Sequence, residues 1–229
     1  MLEGELVFVL GAGEEVRLER DAFLLVPPDL VHSFDNRKPS TARFLNFHAP
    51  DGGFAAQLRD PNRGFDSFDP PEHGGRPASA AVLQGPGEGE LLRTGCSTVV
   101  FKVAATDGIG TLSVGEMRLA PGFRGPNLRS HASTVDSFYV LDGALSLQLG
   151  DERVHAGPGS YVLVPPGIVH AFRNESRRDV RVLNVIAPAG FEQHVRDSIV
   201  TMAPDAPDPE AVTKVSSRYD FEPARDTRT

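Results

Sequence analysis

The feature that most constrains this chain is a long internal repeat. Residues 25–36 read LVPPDLVHSFDN and residues 163–174 read LVPPGIVHAFRN, with eight of the twelve positions identical. The match runs outward on both sides. LEGEL at residues 2–6 parallels LDGAL at 141–145, and FLNFHAPDGGF at 44–54 parallels VLNVIAPAGF at 182–191. An offset of 138 residues (163 − 25) far exceeds the 20–50 residues of a solenoid repeat, so the chain is expected to hold two copies of one domain. The copies are unequal. Gly143 stands 58 positions after Gly85 (143 − 85), whereas only three residues precede Gly4, the equivalent of Gly143. The first copy is therefore expected to be a second half only, about 55 residues short, through a late-assigned start or a truncation. A natural half-barrel would leave strand edges and apolar surface unpaired.

Within each copy the pattern is strand-like. Leu145, Leu147 and Leu149 alternate with Ala144, Ser146 and Gln148, as one face of a half-buried strand requires. Residues 161–164 form a short β-branched and aromatic run stopped by Pro165-Pro166-Gly167, and residues 180–186 form another. Residues 91–119 are expected to supply the opening strands of the second copy. A chain with 23 Gly, 19 Pro and no Trp suits many short strands joined by turns. The expectation is an all-β protein of two tandem barrels. Its parts are a first unit over residues 1–60, a Pro/Gly-rich linker at 61–84, a complete unit at 85–200, and a tail at 201–229 with one short helix near 209–217 capped by Asp208.

Composition excludes several function classes. The formal charge of −8 repels polyanions and no basic run offsets it, so nucleic acid is not an expected partner. No apolar stretch reaches the length of a membrane helix, and Met1 is followed by LEGE without a basic leader. Cys96 is the single cysteine, which reads as a small buried hydrophobe in a reducing, cytoplasmic compartment.

Two motifs carry chemistry. Gly159, Pro165, Gly167, His170 and Asn174 stand at spacings of five, one, two and three intervening residues; the first copy holds Asp21, Pro27, Asp29, His32 and Asn36 at the same places. Ahead of the first motif stand Arg129, His131, Asp136 and Gly143. In these residues the chain resembles the cupin superfamily, specifically bicupin proteins related to quercetin 2,3-dioxygenase-like cupins. That resemblance implies double-stranded β-helix (jelly-roll) barrels, a metal centre in the complete barrel, and a homodimer. It departs from the family pattern at Arg129, where a His is usual, and at Asp136, where a Glu is usual.

The residues argue for the same chemistry on their own. Positions 129 and 131 are two apart on a strand and share a face. His131, Asp136 and His170 form a set of two imidazoles and a carboxylate that suits Fe(II) and, less selectively, Mn, Ni, Co or Zn. Arg129 stays protonated and cannot ligate; it would orient an anionic or enolate oxygen of a small aromatic or enolic molecule. The expected activity is a metal-dependent dioxygenase. Two alternatives stay open: a binding module for small anions with no metal, in which Arg129 pairs with Asp136, and a metal-assisted isomerase or cyclase. His32 reads as a core or pocket histidine, His48 as a strand histidine near the surface, and His73, His155 and His194 as exposed. Phe123, Phe138, Tyr139 and Phe172 read as core or pocket wall, and Asn174 as a satisfier of backbone groups in its turn.

Overall fold

The computed structural model describes residues 1–60, 74–95, 97–107, 110–203, 206–207 and 214–224. The chain divides into two compact units, Met1–Glu88 with Asp107–Thr111, and Gly89–Thr106 with Leu112–Thr229. Cys96, His73 and Asp208 lie outside the described residues, as do 61–73 of the expected linker and 209–213 of the expected tail helix.

The first unit contains β1 (Leu6–Leu10), β2 (Glu14–Leu18), β3 (Phe23–Leu25), β4 (His32–Asp35), α1 (Phe54–Arg59), a 3-10 turn at Ala78–Ala80 and β5 (Val82–Gln84). Its main sheet has the order β2-β1-β4, all antiparallel, with Leu6, Val7, Leu10 and Leu18 buried. The end of the expected linker is structured. Val82–Gln84 pairs in register with Phe23–Leu25, and the Arg76 amide donates to the Asp29 carbonyl at 2.7 Å. The β-branched and Leu content of AVLQ outweighs the Pro and Gly before it. His32 is exposed, a correction to the expected pocket position: β4 is an edge strand with all four residues exposed. His48 is exposed but lies outside any strand, with its ring stacked on Phe54 at 4.5 Å.

The second unit contains β6 (Glu90–Thr94), β7 (Ser97–Val103), β8 (Ser113–Leu119), β9 (Arg129–Ser130), β10 (Val135–Asp142), β11 (Leu145–Leu149), β12 (Glu152–Ala156), β13 (Tyr161–Val164), β14 (His170–Arg173) and β15 (Val180–Ala187). After these come α2 (Phe191–Thr201), β16 (Met202–Ala203), β17 (Ala206–Pro207) and β18 (Glu222–Pro223). Two antiparallel sheets form the jelly roll, β13-β10-β15-β8-β7-β6 and β12-β11-β14-β9-β18. The core holds Phe101, Leu119, Phe138, Val140, Leu145, Leu147, Phe172, Val180 and Val182. The all-β reading therefore holds. Among the described residues no helix is long and apolar enough to cross a membrane.

The repeat is visible as geometry. β1 to β4 and β11 to β14 follow one succession, and their sheets have corresponding orders, β2-β1-β4 and β12-β11-β14. The shared glycine of LEGEL and LDGAL has φ of +72° at Gly4 and +77° at Gly143, and an added Cβ would meet a carbonyl oxygen at 2.6 Å and 2.8 Å respectively. Where the second copy has Gly159 and Gly167 at φ +83° and +82°, the first has Asp21 and Asp29 at +65° and +63°. Asp is one of the few side chains that enter this region, because its short carboxylate can bond locally.

The helix at Phe191–Thr201 has no counterpart in the sequence reading, which ends the second barrel at residue 200 without one. Glu192 holds its first turn to the barrel. The carboxylate accepts from the Ala105 amide at 2.8 Å and the Ser113 hydroxyl at 2.6 Å. Burial raises its pKa, and these hydrogen bonds more than offset that, leaving it below the usual carboxylate range.

Candidate metal centre

Three strands and one turn bring the expected residues together. β9 ends in Arg129 and Ser130 and the chain leaves it at His131; β10 opens with Val135 and Asp136; β14 opens with His170, which lies opposite Arg129 in the ladder. All four side chains are buried, with residue exposures of 7% for Arg129, 3% for His131, 1% for Asp136 and 0% for His170.

They converge on one oxygen. Asp136 Oδ2 lies 3.5 Å from Arg129 Nη2, 4.0 Å from His131 Nε2 and 3.3 Å from His170 Nε2. The other oxygen, Oδ1, accepts from Asn184 Nδ2 at 2.6 Å, and the same amide donates to the Ser137 carbonyl at 3.0 Å. The carboxylate is thus fixed with one oxygen presented to the site.

The tautomers follow from the partners. His170 Nδ1 lies 3.0 Å from the Ile168 carbonyl, and His131 Nδ1 contacts the Asp220 carbonyl. A carbonyl only accepts, so both Nδ1 atoms carry protons and both Nε2 atoms turn toward Asp136, that of His170 within 3.3 Å of Oδ2. Two imidazole nitrogens and a carboxylate oxygen turned toward one point are a donor set that a cation would satisfy. Burial lowers the pKa of His131, the Asp220 carbonyl opposing and Arg129 adding to the effect, so its ring is neutral at neutral pH.

This donor set fits a divalent transition metal. The three ligand atoms lie within 4.8 Å of one another, and two atoms each about 2.1 Å from a common ion are separated by at most roughly 4.2 Å. Both measured distances to Oδ2 meet that limit. His131 Nε2 is buried with no hydrogen-bond partner among the described residues. The tethering of each Nδ1 by a carbonyl is the arrangement that orients metal-ligating histidines.

Arg129 is the unusual element. Its Nε and Nη1 are buried without hydrogen-bond partners among the described residues, and its guanidinium lies 5.7 Å from the Phe172 ring centroid and 5.4 Å from that of Phe221. Burial lowers its pKa and Asp136 opposes that shift. At an effective dielectric of about 20 the Arg129–Asp136 attraction is roughly 5 kcal/mol, which offsets only part of a desolvation cost of several kcal/mol for each of the two ions.

Sequence reasoning brings out Arg129, His131, Asp136 and His170, and the structure places all four in one cluster. It misses Asn184, although Asn46 and Asn184 are the matched asparagines of FLN and VLN in the repeat, a polar residue inside an apolar strand. It also misses the tail. β18 pairs with β9, setting Pro223 opposite Arg129, and Phe221 packs edge-on against His131 with ring centroids 4.7 Å apart. Asn174 behaves as read: its amide donates to the Leu119, Ala120 and Arg178 carbonyls. Phe138 and Phe172 belong to the core, with Phe123 packed against it.

Residues 115–186 match the family model of the cupin domain. Similar solved structures include the TT1209 protein of Thermus thermophilus, at 28% identity over 34% of this chain and 74% of that one, with a TM-score of 0.33. KdgF of a Halomonas species is 15% identical over 45% of this chain and 92% of its own, with a TM-score of 0.40. A predicted oxalate decarboxylase of Thermotoga maritima is 19% identical over 40% of this chain and 80% of its own, with a TM-score of 0.37. No curated protein sequence matches significantly.

His194 corrects another expectation. Expected at the surface, it is turned inward by α2, half-buried, stacked on Phe221 at 4.0 Å and bonded to Ser216 Oγ at 3.2 Å. Burial, with the charges of Arg129 and His131 adding, pushes its pKa from 6.5 down to about 4. The unfolded chain therefore takes up this proton first. The stability that neutral His194 provides is fully present above about pH 6.5 and is lost as pH falls toward 4. Denaturation midpoints should drop across that window, and His194→Phe should flatten the drop in part, His131 and the other groups of lowered pKa contributing the remainder. An unchanged pH slope in the variant would show that His194 is not the group responsible.

Proposed function

We propose that the cupin domain houses a mononuclear metal centre that acts on a small anionic substrate, an enolate or carboxylate, as a dioxygenase of the class represented by quercetinase-like cupins. His131, Asp136 and His170 hold the metal, and Arg129 binds the substrate's anionic oxygen. The observation that carries this reading is the set of unpaired buried atoms, Arg129 Nε and Nη1 with His131 Nε2, beside Asp136. Buried polar atoms without partners are rare, and such a group around one carboxylate marks a place where a ligand completes the bonding.

A divalent metal bound there supplies Lewis acidity and, when it is Fe(II), electrons for O₂ chemistry. The chain's own residues do the rest. Asn184 holds Asp136, and the Ile168 and Asp220 carbonyls hold the rings so that both Nε2 atoms face inward. Charge selects the substrate. With Arg129 cationic and Asp136 the single carboxylate of the cluster, a divalent ion leaves an excess of positive charge in a buried site, which only an anion neutralises without a large desolvation cost.

The test is oxygen uptake by the full chain reconstituted with Fe(II), Mn(II), Ni(II) or Zn(II), against flavonols, β-diketones and small 2-oxo acids. Metal-dependent, stoichiometric O₂ consumption with one class supports the reading. Turnover without O₂ uptake would replace it with the isomerase or cyclase.

A second reading rests on the Arg129–Asp136 contact at 3.5 Å: a metal-free module in which Arg129 anchors an anion. Anion binding undiminished by exhaustive chelation would establish it. We also read Met1–Glu88 as carrying the second half of another such barrel. Its strand order supports this, as does the 2.9 Å contact of His32 Nδ1 with the Leu30 carbonyl, the same two-residue step as His170 to Ile168.

A further inference from the structure

Two of the three metal ligands, His131 and Asp136, are separated by four residues, of which Ala132, Ser133 and Thr134 lie in the turn between β9 and β10. The side chain that organises this turn comes from 84 residues downstream of Asp136 (220 − 136). Asp220 accepts from the Ala132 amide at 2.6 Å, the Ser133 amide at 2.9 Å and the Thr134 amide at 2.8 Å, and from the Ser133 and Thr134 hydroxyls at 2.9 Å and 2.7 Å. Its main-chain carbonyl takes the Nδ1 proton of His131. One residue thus binds every backbone donor of the turn up to Thr134 and sets the orientation of the ligand that precedes it.

The neighbours of Asp220 keep it there. Glu222 and Pro223 pair with Ser130 and Arg129, the Ala224 amide donates to the Leu128 carbonyl at 3.0 Å, and the Tyr219 hydroxyl donates to Asp197 on α2 at 2.7 Å. Phe221 lies between His131 and His194, with centroid distances of 4.7 Å and 4.0 Å. The Asp220 carboxyl is raised by burial, yet the hydrogen bonds from Thr134, Ser133 and Ala132 outweigh that and hold it well below the usual carboxylate range. It is ionised at any pH at which the site could work.

We propose that Asp220 is a positioning residue of the metal centre, and that residues 219–224 are a built part of that centre. The inference rests on the metal reading of His131, Asp136 and His170. Asp220 orders the ligand turn in advance, so that metal binding does not have to supply that ordering. Outer partners of ligating histidines ordinarily contribute 10- to 100-fold to metal affinity, and Asp220 combines that role with closure of the turn.

The experiment is Zn(II) affinity of the full chain, measured by competition with a chromophoric chelator, alongside the visible absorption of the Co(II)-substituted protein. Asp220→Ala should weaken Zn(II) binding by about 10- to 100-fold and shift the Co(II) bands, because the His131 ring loses its fixed orientation. Asp220→Asn keeps a side-chain oxygen toward the Ser133 and Thr134 donors and should recover most of both signals. In a His131→Ala background, Asp220→Ala should produce less than about a twofold further loss, since the two act as one unit. Should Asp220→Ala fail to fold, Ser133→Ala with Thr134→Val removes two donors from the barrel side and should weaken Zn(II) in the same direction. Unchanged affinity and spectrum in the Asp220 variant would overturn the proposal, and so would a full additional loss on top of His131→Ala. Absence of Zn(II) uptake by the parent chain would instead overturn the metal reading and this inference with it.

Discussion

Replacing His170 by Ala is expected to reduce metal bound to the full chain from about one ion to background. His170 is fully buried, its Nδ1–H is held by Ile168, and its Nε2 is the nearest ring atom to Asp136 Oδ2. Binding free energies of roughly 10–16 kcal/mol for four-ligand sites imply about 3 kcal/mol per ligand, a loss of a hundredfold or more. The remaining pair, His131 and Asp136, lies beside the Arg129 cation, which then faces Asp136 without competition. Plasma mass spectrometry on protein purified without an affinity tag reads the result directly. His170→Gln separates ligation from packing, since it preserves volume better than Ala. Metal retained at full stoichiometry in both variants would place the ligands elsewhere and remove the basis of the proposed function.

The fold was legible because its signals are local and repeated. LVPP-x-x-VH-x-F-x-N occurs twice, and the Leu145–Leu149 alternation predicts a strand whose apolar face is buried, as Leu145 and Leu147 are. The cluster of Arg129, His131, Asp136 and His170 was legible for a similar reason: three of them lie within eight residues (129 to 136), and strand geometry alone turns 129 and 131 to one side. The helix Phe191–Thr201 was obscured because its sequence, FEQHVRDSIVT, closely follows the β-branched run of β15, so no composition change marks the boundary. The roles of Asp220 and Phe221 were beyond reach. The sequence around them, SRYDFEPA, has no partner pattern of its own; the contacts are made across 86 (220 − 134) to 90 (221 − 131) residues, with the segment held by pairing to a two-residue strand. The expectations for His32 and His194 were reversed for a related reason. Exposure of a single histidine depends on what covers it: His32 lies on an edge strand, and His194 lies under the Phe221 that the tail brings in.

Substituting Arg129 by Met is expected to have opposite effects on the metal-free and metal-bound protein. Without metal, the Arg129 guanidinium faces Asp136 Oδ2 at 3.5 Å and is almost fully buried. Removing one partner of a buried ion pair leaves the other uncompensated, at a cost of about 3–5 kcal/mol. The unfolding free energy of chelated Arg129→Met from urea denaturation should therefore fall by that amount relative to the parent, with a lower midpoint. With saturating Zn(II) the ion takes over the role of counter-charge to Asp136, and the guanidinium that repels it is gone. At an effective dielectric of about 20, a divalent and a monovalent charge roughly 5 Å apart oppose each other by several kcal/mol, so even after relaxation about a tenfold gain in affinity is expected. Saturating Zn(II) should therefore raise the midpoint further in the variant than in the parent, because ligand stabilisation grows as RT ln(1 + [L]/Kd). Anion binding should be lost with or without metal, since the Nε and Nη1 donors that await the anion are removed. The measurement is the pair of urea midpoints with chelator and with Zn(II). A metal-induced shift no larger in Arg129→Met than in the parent would mean that Arg129 and the ion do not contend for Asp136. The guanidinium would then be a structural partner of the carboxylate, and the metal-free anion module would become the better account of this barrel.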